Sequence, residues 1–229
     1  MASLYTHQAA NVRKTWLLMG AFLVLVIAVG YAMGLYLQQP GILYIAVAFS
    51  LIMNVSAYWF SDKVALASTG AKEADPKEYL ELHRIVENLA ITAGLPKPRV
   101  YVMQEPAPNA FAAGRNKEHA VIAVTTGLLE RLNRTELEGV IAHELAHIGN
   151  RDILVMTVAV VLAGFIAMLA DLFLRMTFWG GGNNREGKGN ALFAILAIVG
   201  IVLAPIAAQL IQLAISRRRE FLADTSGAL

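Results

Sequence analysis

Four stretches of this 229-residue chain, Thr15–Leu37, Gly41–Phe60, Ile153–Leu174 and Ala191–Ile215, are predominantly apolar. Each reaches the roughly 20 residues that a helix needs to cross hydrocarbon, and each is expected to be a transmembrane helix. The composition agrees. Hydrophobic residues make up 57% and charged residues 16%, against roughly 45–50% and 25% in soluble domains. The first stretch is too long for a signal-peptide core, lacks a small-residue cleavage pattern, and is followed after Gln38-Gln39-Pro40 by a second span. It is expected to form one arm of a helical hairpin over residues 1–60.

Lys and Arg placement sets the expected orientation, because positively charged flanks stay cytoplasmic. Arg13 and Lys14 precede the first span, eleven Lys and Arg lie between Ser61 and Asp152, and Arg217-Arg218-Arg219 follow the fourth span. These belong on the cytoplasmic side. The segment 175–190, with its Gly180-Gly181-Gly182-Asn183-Asn184 run, is then the outer loop of a second transmembrane pair over 153–215. A net charge of +2 with no basic helical face argues against nucleic-acid binding. With no cysteine, any metal must be held by His, Asp or Glu.

Residues 61–152 form a polar insert large enough for a small domain. Asp75-Pro76 reads as an N-cap and first helical residue. Tyr79, Leu82, Ile85, Val86 and Leu89 keep helical spacing until Gly94 and Pro96. Arg99–Met103 and Ala120–Thr125 read as strands, and Asn133 with Glu136, or Thr135 with Glu138, offers a capping box for the next helix.

That helix carries H-E-L-A-H, His143 to His147. Residues four apart share a helix face, so both imidazoles can reach one ion while Glu144 is turned to meet a water on it. Zinc suits this set, since imidazole is a good ligand and the ion lowers the pKa of its water from 15.7 to about 7. Glu144 would accept that water's proton and pass it to the leaving amine. A catalytic zinc usually has three protein ligands. The best candidate for the third is Glu220, in S-R-R-R-E-F-L-A-D (Ser216 to Asp224), which two further spans return to the same side of the membrane. Asp224, one turn on, is placed to accept from the free ring nitrogen of a metal-bound histidine.

H-E-L-A-H followed by N-R-D, two spans and S-R-R-R-E-F-L-A-D resembles the HtpX family of bacterial membrane zinc endopeptidases, related to the prenyl-protein endoproteases. The likeness covers nearly the whole chain and includes P-N-A-F-A-A-G, Pro108 to Gly114. It implies a mainly α fold with a small β-sheet: a four-transmembrane-helix integral membrane protein with a cytoplasmic α+β, zincin-like catalytic domain. It also implies one zinc ion per chain, misfolded or damaged membrane proteins and unfolded polypeptides as substrates, a bacterial inner-membrane location, and a role in envelope quality control under stress. The family continues beyond E-F-x-A-D, so 216–229 is expected to be a shortened cytoplasmic segment carrying the third ligand.

Other residues have plainer readings. His7, His83 and His119 are expected to be ordinary polar histidines, and Asp171 to pair with Arg175 near the outer interface. Asp152 is read as marking the cytoplasmic end of the third span rather than orienting a ligand. Gln209 and Gln212 are expected to bond between helices around a kink at Pro205, and Arg217–Arg219 to anchor a helix end to headgroups, with an oxyanion role open to one of them. The Ala120–Thr125 strand is either a sheet edge that pairs with substrate backbone or an internal strand. Two rival functions stay open: an intramembrane zinc protease, and a non-catalytic chaperone or adaptor that keeps zinc for structure.

Overall fold

The computed structural model describes residues 4–180, 188–214, 220, 223 and 224. Four long helices, α1 (Leu4–Leu37), α2 (Gly41–Trp59), α7 (Asp152–Gly180) and α8 (Lys188–Ala214), enclose in sequence a smaller α/β segment. That segment holds α3 (Ser61–Thr69), β1 (Lys72–Glu73), α4 (Leu80–Thr92), β2 (Arg99–Met103), β3 (Ala110–Ala113), β4 (Val121–Thr125), α5 (Thr126–Arg131) and α6 (Arg134–Gly149). The architecture is mainly helical with one small mixed sheet.

The chain divides into two compact units. One comprises Leu18–Val55 and Ala159–Ala214, the other Met1–Leu17, Ser56–Val158 and Ile215–Leu229. Within the first unit, the turn between α1 and α2 uses Gln38 at φ 55° ahead of Pro40. The two arms then approach so closely that a Cβ on Gly30 would stand 2.2 Å from Ala46 Cβ, the small-residue contact that lets membrane helices pack. Among the described residues, three helical stretches are long and apolar enough to cross a membrane: Gln8–Leu37, Gly41–Trp59 and Asp152–Asp171. The fourth expected span corresponds to α8, which contains Pro205 and a shorter apolar stretch, Ile201–Gln212. α7 runs on past Leu174 to Gly180, and Arg175 Nε donates to Asp171 Oδ2 at 2.7 Å, the expected pair.

The second unit is organised by a sheet of order β1-β2-β4-β3, with β2 and β4 parallel and the outer pairs antiparallel. β4 is buried along its whole length, which explains its nearly continuous apolar sequence: a strand covered on both faces does not alternate. Ile122 and Val124 join Leu82, Ile85 and Val86 of α4 and Leu137, Ile141, Leu145 and Ile148 of α6 in one core. Val121 and Ala123 meet Leu66 of α3 on the other side. The Ala120–Thr125 segment is therefore an internal strand, and among the described residues the sheet edge beside it belongs to β3, a strand that the sequence does not announce. A-F-A-A is too short and too uniformly apolar to show a period of two.

α6 begins with the capping box of Asn133 and Glu136. Asn133 Oδ1 accepts from the Glu136 N–H at 3.0 Å, and Glu136 Oε2 accepts from the Asn133 N–H at 2.9 Å. Asp75 instead closes a turn before α4, accepting from the N–H groups of Lys77 and Glu78, so that helix starts at Leu80 rather than at Pro76, four residues later than its cap suggested. His83 Nε2 lies 3.0 Å from the Ala74 carbonyl and His119 bonds within its own turn to Asn116, both structural. The side chain of His7, Ile215, Arg217–Arg219 and the sequence beyond Asp224 lie outside the described residues.

Candidate metal centre

The apolar stripe Leu137, Ile141, Leu145 and Ile148 fastens α6 to the sheet and to α4. Register then dictates the rest: His143 and His147, one turn apart, fall beside that stripe, and Glu144 is carried towards β3. The imidazole Nε2 atoms of His143 and His147 stand 3.2 Å apart. Glu220 Oε2 lies 3.4 Å from the first and 3.7 Å from the second. These three atoms are the one group of potential metal ligands found among the described residues. Zinc bonds of 2.0–2.1 Å at tetrahedral angles require ligand atoms about 3.3–3.4 Å apart. The triangle in hand fits that requirement, with two nitrogen donors and one oxygen.

Each histidine is held from behind by a carboxylate. His143 Nδ1 donates to Asp224 Oδ1 at 2.8 Å, and His147 Nδ1 donates to Asp152 Oδ2 at 3.2 Å. Carboxylates only accept, so the ring proton sits on Nδ1 in both and the Nε2 lone pairs converge on the ligand position. The two supports differ. Asp224 keeps 70% of its side chain exposed, whereas His147 and Asp152 are 3% and 2% exposed.

Asp152 therefore corrects the sequence reading. It opens α7, as a span-end residue would, but its side chain turns back to His147 of the candidate site. Its other oxygen, Oδ1, accepts from Asn11 Nδ2 of α1 at 2.7 Å. Asn11 went unnoticed because its partner lies 141 residues away; the only hint was a polar residue just ahead of an apolar run.

The electrostatics follow from burial. Burial is the chief reason the Glu144 carboxyl is held above the usual range, and Glu220 adds to it; His147, His143 and the Ala112 N–H of β3 pull the other way without cancelling it. For His147, burial is the largest single influence and favours the neutral ring. The Asp152 hydrogen bond, with the charges of Glu144, Asp152 and Glu220, outweighs it, leaving the pKa above the ordinary histidine value. An ion on Nε2 would displace that proton.

The sequence matches the family model of peptidase family M48 over residues 76–229. Its similar relatives include proteins described as protease HtpX homologues. One from Caldanaerobacter subterraneus is 52% identical across 99% of this chain and 77% of its own length. One from Pyrococcus furiosus is 52% identical over 94% and 72%, and one from Streptococcus gordonii 44% over 97% and 77%.

Proposed function

This chain belongs to peptidase family M48 and is a membrane metallopeptidase, and on that premise we propose that it is a zinc endopeptidase whose site is His143, His147, Glu220, Glu144 and Asp224. Its substrates are misfolded or damaged membrane proteins, cut on the cytoplasmic side in envelope quality control. The observation that carries this reading is the convergence of two nitrogens and one carboxylate oxygen with separations of 3.2, 3.4 and 3.7 Å.

His143, His147 and Glu220 would hold the ion. When bound, zinc supplies a Lewis acid that polarises the scissile carbonyl and acidifies a water. Glu144 takes that water's proton and delivers it to the leaving nitrogen, and its raised pKa brings it nearer to neutrality, where a group that both accepts and donates works best. Asp224 and Asp152 keep the imidazoles turned. Among the described residues β3 pairs in the sheet with β4 alone, and its outer edge, beside Glu144, would take up an extended substrate, a geometry that selects unfolded chain.

The distribution of Lys and Arg supports four spans, with α8 as the fourth, and an arrangement in which the N-terminus, the region 61–152 and the segment 216–229 face the cytoplasm of a bacterial inner membrane. The hairpin 1–60 and the pair 153–215 with its outer loop at 175–190 would anchor it.

The test uses the purified chain in detergent. Glu144→Gln is expected to retain zinc and to lose casein cleavage by about 10²–10⁴-fold. Glu220→Gln is expected to lower zinc stoichiometry sharply. Wild-type cleavage by the first variant would refute the role of Glu144, and full zinc in the second would place the third ligand elsewhere.

A further inference from the structure

Three side-chain hydrogen bonds tie the start of α1 to the junction of α6 and α7. Gln8 Nε2 donates to the Gly149 carbonyl at 2.7 Å. Asn11 Nδ2 donates to the Asn150 carbonyl at 3.2 Å and to Asp152 Oδ1 at 2.7 Å. Between these acceptors sits Arg151 at φ 57°, a left-handed conformation that a residue with a Cβ keeps only where its surroundings hold it.

Resting on the metal-centre reading above, we propose that Asn11, a residue of the first apolar helix, is a positioning residue for the metal ligand His147 and acts through Asp152. Both acceptors of its amide are oxygen atoms that cannot donate, so the amide has one possible orientation and both of its protons are used. With Oδ1 of Asp152 held by Asn11, Oδ2 is the oxygen left for His147 Nδ1. The carboxylate cannot rotate without breaking the shorter of its two bonds. All three groups are buried, with Asn11 5% exposed, so water cannot replace a lost donor without rearrangement, and a buried carboxylate short of one donor is free to take another rotamer. The His147 ring would then lose its fixed tautomer and aim. The helix that anchors the chain thus contributes a side chain to the chemistry.

The experiment measures Zn²⁺ affinity by chelator competition on the full chain in detergent, with thermal melting as a separate readout. Partners of metal-bound histidines typically change affinity by about 10–100-fold. One step further out, Asn11→Leu is expected to weaken Zn²⁺ binding by roughly tenfold, and Asn11→Ser, which keeps a donor in less volume, to lie between it and the wild type. In an Asp152→Asn background, Asn11→Leu should cause little further loss, because both act along one path. Gln8→Ala breaks a bond to the same junction without touching the carboxylate; it should lower the melting temperature and leave affinity unchanged. Wild-type affinity in a folded Asn11→Leu or Asn11→Ser protein overturns the proposal, as does an equal loss in Gln8→Ala, which would make the role one of bracing. Unchanged affinity in His143→Ala and Glu220→Gln would instead sink the metal-centre reading itself, so the two failures are distinguishable.

Discussion

Replacing Asp152 by asparagine keeps the side chain's shape and removes half of its accepting capacity. In the native arrangement both oxygens accept, one from Asn11 Nδ2 at 2.7 Å and one from His147 Nδ1 at 3.2 Å. An asparagine can accept from only one of these donors and must present its NH₂ to the other. If its oxygen stays with Asn11, His147 faces a donor and is driven to the tautomer with the proton on Nε2, the atom aimed at the metal. If its oxygen goes to His147, the Asn11 amide is left against another amide. A buried donor without a partner costs about 1–3 kcal/mol, and the loss of a ligand's supporting carboxylate lowers metal affinity by about 10–100-fold, or roughly 1.4–2.7 kcal/mol. The two estimates overlap, so Asp152→Asn is expected to weaken Zn²⁺ binding by one to two orders of magnitude. Asp152→Ala, which leaves both donors unmatched, should exceed it. Chelator competition on protein shown by circular dichroism to keep its helical content is the assay. Zn²⁺ affinity equal to wild type in Asp152→Asn would refute the claim that this carboxylate sets the His147 tautomer.

Asp224→Asn makes the same chemical change on His143, but at a carboxylate whose side chain is 70% exposed. Water can satisfy the orphaned groups there, so a loss of only a few-fold is expected, and a deficit as large as that of Asp152→Asn would show that exposure is not what separates the two supports. A different readout comes from the Glu144 carboxyl, raised above its usual value of 4.5. Between that value and its folded-state pKa the folded protein binds more protons than the unfolded one, so stability falls as pH rises through the window. Metal-free Glu144→Gln should therefore melt above metal-free wild type at alkaline pH and converge with it at about pH 4; a constant difference across the range would contradict the assignment. In β3, Ala112→Pro removes the N–H that faces Glu144 and blocks the outer edge of the described sheet. It is expected to raise KM for an unfolded substrate well above any effect on zinc binding, and an unchanged KM would count against substrate pairing at that edge.

What the sequence made legible divides by range. His143, Glu144 and His147 were readable because the helix repeat alone brings them together. Glu220 was readable only after the spans had been counted, since 73 residues separate it from His147, and Asp224 followed as its neighbour one turn on. Asp152 was misread for a physical reason: a carboxylate just before an apolar run is also what an ordinary membrane boundary looks like, and local sequence does not say which way the side chain turns. Asn11 lay beyond reach because its contacts are made across the fold. The sheet shows the same division. The apolar content of Ala120–Thr125 marked a strand but could not say whether it had neighbours on both sides, and Ala110–Ala113 carried no alternation that would distinguish it from a loop.

The proposed ligand set also has a mechanical consequence. His147 precedes α7 and Glu220 follows α8, so an ion shared between them is a clasp that closes a circuit of 73 residues containing two whole helices. In a chain-entropy account, a closure of that length is worth roughly 4 kcal/mol against the open chain. Chelation would thus unfasten the molecule as well as silence it, and a readout of activity alone would mistake the one event for the other.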